Sequence, residues 1–382
     1  MIPLQDNSFP LVPERLLLQA KRVLYMTHLA LGDFVYQRAY LAELVARYPQ
    51  LSVDIWIDDC RSRHKAWHEG RNQTLVQWLK AEDHLQQIYP IARDKKHRQS
   101  MLKQAREVQY DLVVFIASTR SEQYARYARQ IAPKAYVVGT LTNPAHHALS
   151  KWWYFRQLDG YLKVDSLHSR QDLHISDIYQ QKFKQLLGLS LPAEKRVAPL
   201  NVEENALIEA RDQLAKWTQK TGLNASSTLF INHLSTTSKR DYQWSQLTEL
   251  LLAIQASQGP TLFVLNVPPA QLQETKDRLA RETVLQQLAI QPFSASHFVQ
   301  LPAMIAASDR VITVETAIMH LAACVGTPQV ALLRDSATSW RPLGPAVLVY
   351  GKERVDRIPV SQVVEAYLQL SSLLSHKLTG RA

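Results

Sequence analysis

Residues 310–328 read Arg310-Val-Ile-Thr-Val-Glu315-Thr316-Ala317-Ile-Met-His320-Leu-Ala-Ala-Cys324-Val-Gly326-Thr-Pro328. After Arg310 come four β-branched and mostly apolar residues, Val311 to Val314, the chemistry of a buried strand. A carboxylate and a threonine follow at a turn. An apolar helical stretch comes next, closed by Gly326 and Pro328. A strand–turn–helix of this kind leaves the N–H groups of its helix start free, which is a preformed anion site. His320 lies four or five residues into that helix, where a histidine is more often structural than catalytic. An ordinary strand–turn–helix explains the fold signal but not the polar residues at the turn.

The same alternation extends outward in both directions. Residues 22–27 (RVLYMT) read as a strand, followed by a turn at Leu31-Gly32-Asp33 and a helix to about Tyr48. Further strands are expected at 51–57, 111–117 and 135–138, with a helix over 122–131. A helical pattern at 175–187 runs into a linker at 187–196, rich in charge and containing Gly188 and Pro192. The second half predicts strands at 228–232, 261–265, 298–301, 310–314 and 329–333, with helices over 243–255, 270–288 and 316–325 and a terminal helix over 360–374. Strands alternating with helices imply α/β layers around parallel sheets. The reading is two Rossmann-like domains with a cleft between them: residues 1–190, residues 191–355, and a C-terminal helix and tail at 356–382.

Composition narrows the partners. The chain has 382 residues, 46% hydrophobic and 20% charged, as in an ordinary globular protein. Two cysteines exclude a disulfide framework and suit a reducing cytoplasm. No basic-then-apolar leader opens the chain, and no apolar run approaches the ~20 residues of a membrane helix. The net charge is +10, and residues 1–190 carry 26 Lys and Arg against 18 Asp and Glu. That points to phosphate-rich partners bound mainly by the first half. No nucleic-acid module signature accompanies the charge.

Each candidate site has a plain structural alternative. Gly32 and Asp33 follow the first strand, where doubly wound sheets bind ligands; Asp33 could equally cap its helix. The loop Leu234-Ser-Thr236-Thr237-Ser-Lys239-Arg240 offers hydroxyls, N–H groups and a cation to phosphate oxygens, or is a polar helix start. It lacks the glycines of a Walker loop. Cys60, His64 and His68 have a spacing that could align three metal ligands on one helical face, but no fourth ligand follows and Arg61, Arg63, Lys65 and Arg71 oppose a cation, so no metal is expected. The basic run 93–98 reads as a solvated face. The aromatic run 152–155 reads as core.

Together these segments resemble glycosyltransferase family 9, the ADP-heptose:lipopolysaccharide heptosyltransferases, over about residues 21–345. The resemblance rests on the strand–ALGD–helix start, Arg47-Tyr48-Pro49, the helix over 172–187, the Thr-Thr…Lys-Arg…Trp loop, ETAIMHLAA…GTP, and Trp340-Arg-Pro-Leu-Gly344. It implies the GT-B architecture, with the acceptor on the N-terminal domain and a nucleotide sugar on the C-terminal one. It also implies inverting transfer without a cofactor or metal. Asp33 then falls where the family places its general base, and Gly32 with the acceptor. Thr236, Thr237 and Lys239 fall where it binds the diphosphate, joined by the helix start at Thr316 and Ala317. His320 falls on the histidine of the family's Asp-Thr-Gly-x-x-His pattern. Arg61, Arg63, Lys65 and Arg120 fall where it gathers charge for the phosphates and Kdo carboxylates of a glycolipid acceptor.

This sequence departs from that pattern at Glu315 and Ala317, which stand for Asp and Gly, and at Asn266-Val-Pro-Pro269, where a glycine-bearing loop is usual. The expected function is heptose transfer from ADP-heptose to the lipopolysaccharide inner core by a cytoplasmic enzyme in peripheral contact with anionic membrane. The alternatives are another nucleotide sugar, a protein acceptor, or a non-catalytic binding protein on the same fold.

Overall fold

The computed structural model describes residues 10–61, 66–141, 153, 155–164, 173–222 and 227–379. The chain forms two compact units, Met1–Val197 and Ala198–Ala382. Each is built on a six-stranded, wholly parallel sheet of the Rossmann type, covered by helices.

In the first unit the strands are β1 (Arg22–Thr27), β2 (Ser52–Trp56), β3 (Ile88–Tyr89), β4 (Leu112–Ile116), β5 (Tyr136–Leu141) and β6 (Gly160–Lys163), in the order β3-β2-β1-β4-β5-β6. In the second they are β7 (Ser227–Asn232), β8 (Thr261–Asn266), β9 (Ala289–Phe293), β10 (Arg310–Val314), β11 (Gln329–Arg334) and β12 (Ala346–Gly351), in the order β12-β11-β10-β7-β8-β9. Counted within its own unit, each sheet has the same order, reversing beside its first strand. The switch points lie between β1 and β4 and between β7 and β10, where such sheets hold ligands.

Both faces of these sheets are covered, so the central strands are apolar throughout rather than alternating. β4 is buried at all five positions. β1 and β10 expose only their first residue to any extent. The terminal helix Val360–Thr379 belongs to the second unit, with Val360, Val363, Ala366, Tyr367 and Leu370 packed in the same cluster as Leu229, Leu250 and Val330.

Three expectations are corrected. Residues 298–301 are not a strand: Gln300–Ala307 is a helix, and the strand is β9, which follows the shortened helix Leu272–Arg281 after a 3-10 turn at Thr283–Leu285. The basic run 93–98 is not wholly solvated. It opens the helix Lys95–Glu107, and Arg98 turns inward to ion-pair with the fully buried Asp58. The aromatic run is not uniformly core. Phe155 packs against the first unit's core, but Trp153 is 54% exposed with the Arg156 guanidinium 4.0 Å above its ring. Trp152 and Tyr154 lie outside the described residues.

Gly139 on β5 lies beside Phe115 on β4, and a Cβ there would stand 2.3 Å from two of the Phe115 ring carbons. Gly139→Ala should therefore destabilise the first unit by about 1–3 kcal/mol. A thermal melt should show this as a lower melting temperature, and an unchanged melt would contradict the packing described.

Candidate functional site

In the first unit the polar residues gather beyond the carboxyl ends of β1, β2 and β4. The turn expected at residues 31–33 is already helix: Leu31–Arg47 begins there with Ala30 as its N-cap, so Gly32 and Asp33 are its second and third residues. Alanine has no side-chain acceptor, so the carboxylate does the capping. Asp33 Oδ2 accepts the Ala30 N–H at 3.1 Å. The other oxygen, Oδ1, accepts the Tyr179 hydroxyl at 3.1 Å. The helix cap thus occupies one oxygen of the carboxylate and Tyr179 the other. The residue reaches the surface in part, yet its carboxyl group is enclosed enough that burial pushes its pKa up. The Ala30 N–H, His28, Tyr179 and Lys182 act in the opposite sense.

Behind β2, Asp59 organises two of the predicted acceptor arginines. Arg61 Nε lies 2.8 Å from Asp59 Oδ2, Arg120 Nη1 donates to the Asp59 carbonyl at 2.8 Å, and His28 Nε2 is 3.8 Å from the same carboxylate. Arg120 reaches that position from a left-handed backbone conformation at the N-cap of Ser121–Ile131. Arg63 and Lys65 lie outside the described residues, as does His64. Cys60 sits in the loop before the helix Ala66–Lys80 with φ of 62°, so it does not share a helical face with His68. Burial, with Asp58 next to it, pushes its thiol pKa far up, which makes it a packed residue rather than a thiolate ligand. Among the described residues no group of three or more His, Cys, Asp or Glu could hold a metal ion.

In the second unit Asn232, the last residue of β7, ties together three strand ends. Its amide nitrogen lies within hydrogen-bonding distance of Thr313 Oγ1 (3.3 Å), Thr316 Oγ1 (3.1 Å) and the Leu234 carbonyl (3.2 Å), and its Oδ1 accepts from Asn266 at 2.8 Å. The loop after it is braced internally. Ser235 Oγ donates to the Thr237 carbonyl and accepts the Thr237 N–H, while Asp241 accepts the Ser235 N–H at 2.6 Å. That bracing leaves Thr236, Thr237 and Lys239 exposed at the rim. Thr316 caps the helix Ala317–Val325 by accepting the Ile318 N–H, and Thr316 and Ala317 keep partial exposure.

Glu315 and His320 are placed differently. Glu315 is 7% exposed and grips the Arg334 guanidinium in a two-pronged pair at 2.9 and 2.7 Å, with Arg240 3.7 Å away. That pairing raises the Arg334 pKa further. His320 is 3% exposed, its ring 6.0 Å from Trp340. Sequence reasoning passed over Tyr179 and Lys182 beside Asp33 in the first unit, and Asn232 and Arg334 in the second. One signal was available, a lysine on the buried face of the 175–187 helix, at helical spacing from Ile175, Ile178, Tyr179 and Leu186.

Two Rossmann-like units in one chain, each with polar residues at the carboxyl ends of its strands, define a GT-B protein. The model of glycosyltransferase family 9 (heptosyltransferase) matches residues 143–361, and the chain belongs to this family of glycosyltransferases. Solved structures agree on the fold. A glycosyltransferase family 9 protein from Veillonella parvula is 19% identical with a TM-score of 0.65, covering 92% of this chain and 97% of that one. The E. coli ADP-heptose lipopolysaccharide heptosyltransferase II is 18% identical with a TM-score of 0.67, covering 93% and 99%. E. coli heptosyltransferase WaaC with ADP is 14% identical with a TM-score of 0.62, covering 91% and 99%. No curated protein sequence matches the chain.

Because burial raises the Asp33 pKa above its ordinary 3.8, the folded protein holds the Asp33 proton more tightly than the unfolded chain. The carboxylate therefore costs stability progressively as pH rises through its raised pKa. Asp33→Asn, which keeps an oxygen for Ala30, should gain melting temperature over the wild type as pH rises from 4 to 8. A constant or shrinking difference would contradict the desolvation of Asp33.

Proposed function

We propose that the protein is an inverting, metal-independent glycosyltransferase that moves heptose from ADP-heptose to a phosphorylated inner-core acceptor of lipopolysaccharide. Asp33 takes the proton of the acceptor hydroxyl as its oxygen bonds to the anomeric carbon. The bond from that carbon to the diphosphate breaks, and ADP leaves. The observation that carries this reading is the carboxylate of Asp33, beyond the carboxyl end of β1 in a chain of this family, fixed by two hydrogen bonds and made more basic by burial. The solved relatives are described as acting on or binding ADP-heptose or ADP, which supports that donor.

On the second unit, Thr236, Thr237 and Lys239 hold the diphosphate, and the helix start at Thr316 and Ala317 receives its developing charge. A lysine and a row of N–H groups then do the work a divalent cation does elsewhere. Glu315 and His320 act from behind this surface, Glu315 by fixing Arg334 and His320 by packing. Gly32, Arg61 and Arg120 serve the acceptor, with Arg63 and Lys65 assigned to the same task. The basic first half suits work in the cytoplasm against an anionic membrane face, and no helix among the described residues is long and apolar enough to cross a membrane. The Glu315–Arg334 pair, in place of the family's Asp, favours a second reading with another nucleotide sugar as donor.

A thermal-shift panel of ADP-, UDP- and GDP-sugars separates these readings, since a ligand that binds the folded state raises the melting temperature. ADP-heptose should give the largest shift; a larger shift with a UDP- or GDP-sugar favours the second reading. No shift with any sugar contradicts both. Asp33→Ala should lower transfer at least about a hundredfold while leaving ADP binding intact. Lys239→Ala should weaken donor binding about ten- to a hundredfold and leave acceptor binding unchanged. Transfer should persist in excess EDTA, and its loss would contradict the metal-independent assignment.

A further inference from the structure

The helix Ile175–Leu187 carries two buried ionisable side chains that have no part in the transfer reaction as proposed. Tyr179 is 6% exposed and Lys182 is 3% exposed. Both lie on the helix face that packs against Leu31–Arg47, where Phe183 stacks on Tyr40 with ring centroids 4.5 Å apart. An ammonium so deeply enclosed is costly without an anion. The Lys182 Nζ stands 4.9 Å from the centre of the Tyr179 ring, and the Tyr179 hydroxyl is bonded to Asp33.

The hydrogen bonds around Tyr179 have a direction. Gln37 Oε1 accepts the Tyr25 hydroxyl at 2.5 Å and the Thr27 hydroxyl at 3.3 Å. The amide nitrogen of Gln37 therefore faces Tyr179, and it donates to the Tyr179 oxygen at 3.0 Å. A phenol has one proton to give, and with its oxygen already accepting from Gln37, that proton goes to Asp33. The chain Tyr25, Gln37, Tyr179, Asp33 thus delivers a hydrogen bond to the ionised carboxylate. The groups facing Asp33 are the Ala30 N–H and His28 from the loop after β1, Tyr25 from β1, and Tyr179 and Lys182 from the Ile175–Leu187 helix.

We propose that Tyr179 and Lys182 are positioning residues for the Asp33 base, Tyr179 fixing the orientation of its carboxylate and Lys182 keeping that carboxylate ionised inside an enclosed site. The inference rests on the reading of Asp33 as the base. Burial lowers the Lys182 pKa to about 8 while Asp33 acts to raise it, so the two side chains support each other's charge. The coupling is reciprocal.

The test follows the Asp33 carboxyl carbon by NMR in protein labelled with 13C-aspartate, its resonance assigned by its absence in Asp33→Asn. In Tyr179→Phe and in Lys182→Met the Asp33 pKa should rise by about one unit or more. Lys182→Arg, which keeps the charge, should restore it. The acid limb of kcat/KM for transfer should move by the same amount, with kcat reduced and donor KM unchanged. Asp33 titrating as in the wild type in both variants would overturn the proposal. A reciprocal measurement does not depend on those variants folding: the Lys182 ammonium, followed in 15N-lysine protein, should have a lower pKa in Asp33→Asn than in the wild type. An unchanged Lys182 pKa would also overturn it. Transfer by Asp33→Asn at the wild-type rate would instead remove Asp33 as the base, and with it this role, whatever the titrations give.

Discussion

Parallel strand pairing is the constraint from which the rest of this molecule follows. A parallel sheet needs a crossover after every strand, so helices cover both of its faces and its strands become apolar along their whole length. Polar side chains are then displaced to the strand ends. Because all the strands run one way, their carboxyl ends share one edge, and at a reversal of strand order two crossovers part and leave room for a ligand. Asp33 after β1, Asp59 after β2 and Arg120 after β4 meet at that edge in the first unit. Asn232 ending β7, Asn266 ending β8 and Glu315 after β10 meet at the matching edge in the second.

The two edges are equipped differently. In the first unit charges are enclosed and paired: Asp58 with Arg98, Asp59 with Arg61, and Asp33 in company with Lys182. Enclosed charges with partners are costly to maintain but hold their side chains in place, as suits a group that must meet one hydroxyl. In the second unit the inner layer is a set of neutral hydrogen bonds centred on Asn232, and the cations and hydroxyls stand outside it. A diphosphate brings its own charge, and in the proposed reading the exposed Lys239 meets it with little desolvation. The Glu315–Arg334 pair is the exception, a buried carboxylate turned away from solvent towards a guanidinium.

Much of this was legible in the sequence because burial on both faces gives a strand a strong local signature. β1, β7, β10 and β11 are continuous apolar runs with turn residues after them, and their limits fall within about a residue of expectation. Edge strands carry a weaker signature. β9 contains Pro292 and pairs on one side only, a position where a missing N–H is harmless. Its neighbour Phe298-Val-Gln-Leu301 is the more apolar run, and Phe298 and Leu301 share a helical face just as well. The short β3 and the edge strands β6 and β12 escaped notice for the same reason. At the sites, Asp33 could be located because it follows a strand. Tyr179 is 146 residues further on, Arg98 meets Asp58 across 40, and Arg334 meets Glu315 across 19. Such pairings are set by strand order, and local periodicity carries no record of them.

The central claim is that one carboxylate on the first unit acts as a base while the sugar leaves a diphosphate held by the second, with no covalent sugar–protein intermediate. A single displacement must invert the anomeric centre. The most direct measurement is the one-bond carbon–proton coupling at that carbon, taken by NMR on the donor sugar and on the purified product. Opposite anomeric configurations in donor and product are the predicted result. The same configuration in both would contradict the account, since retention requires a second displacement that Asp33 as a base does not provide.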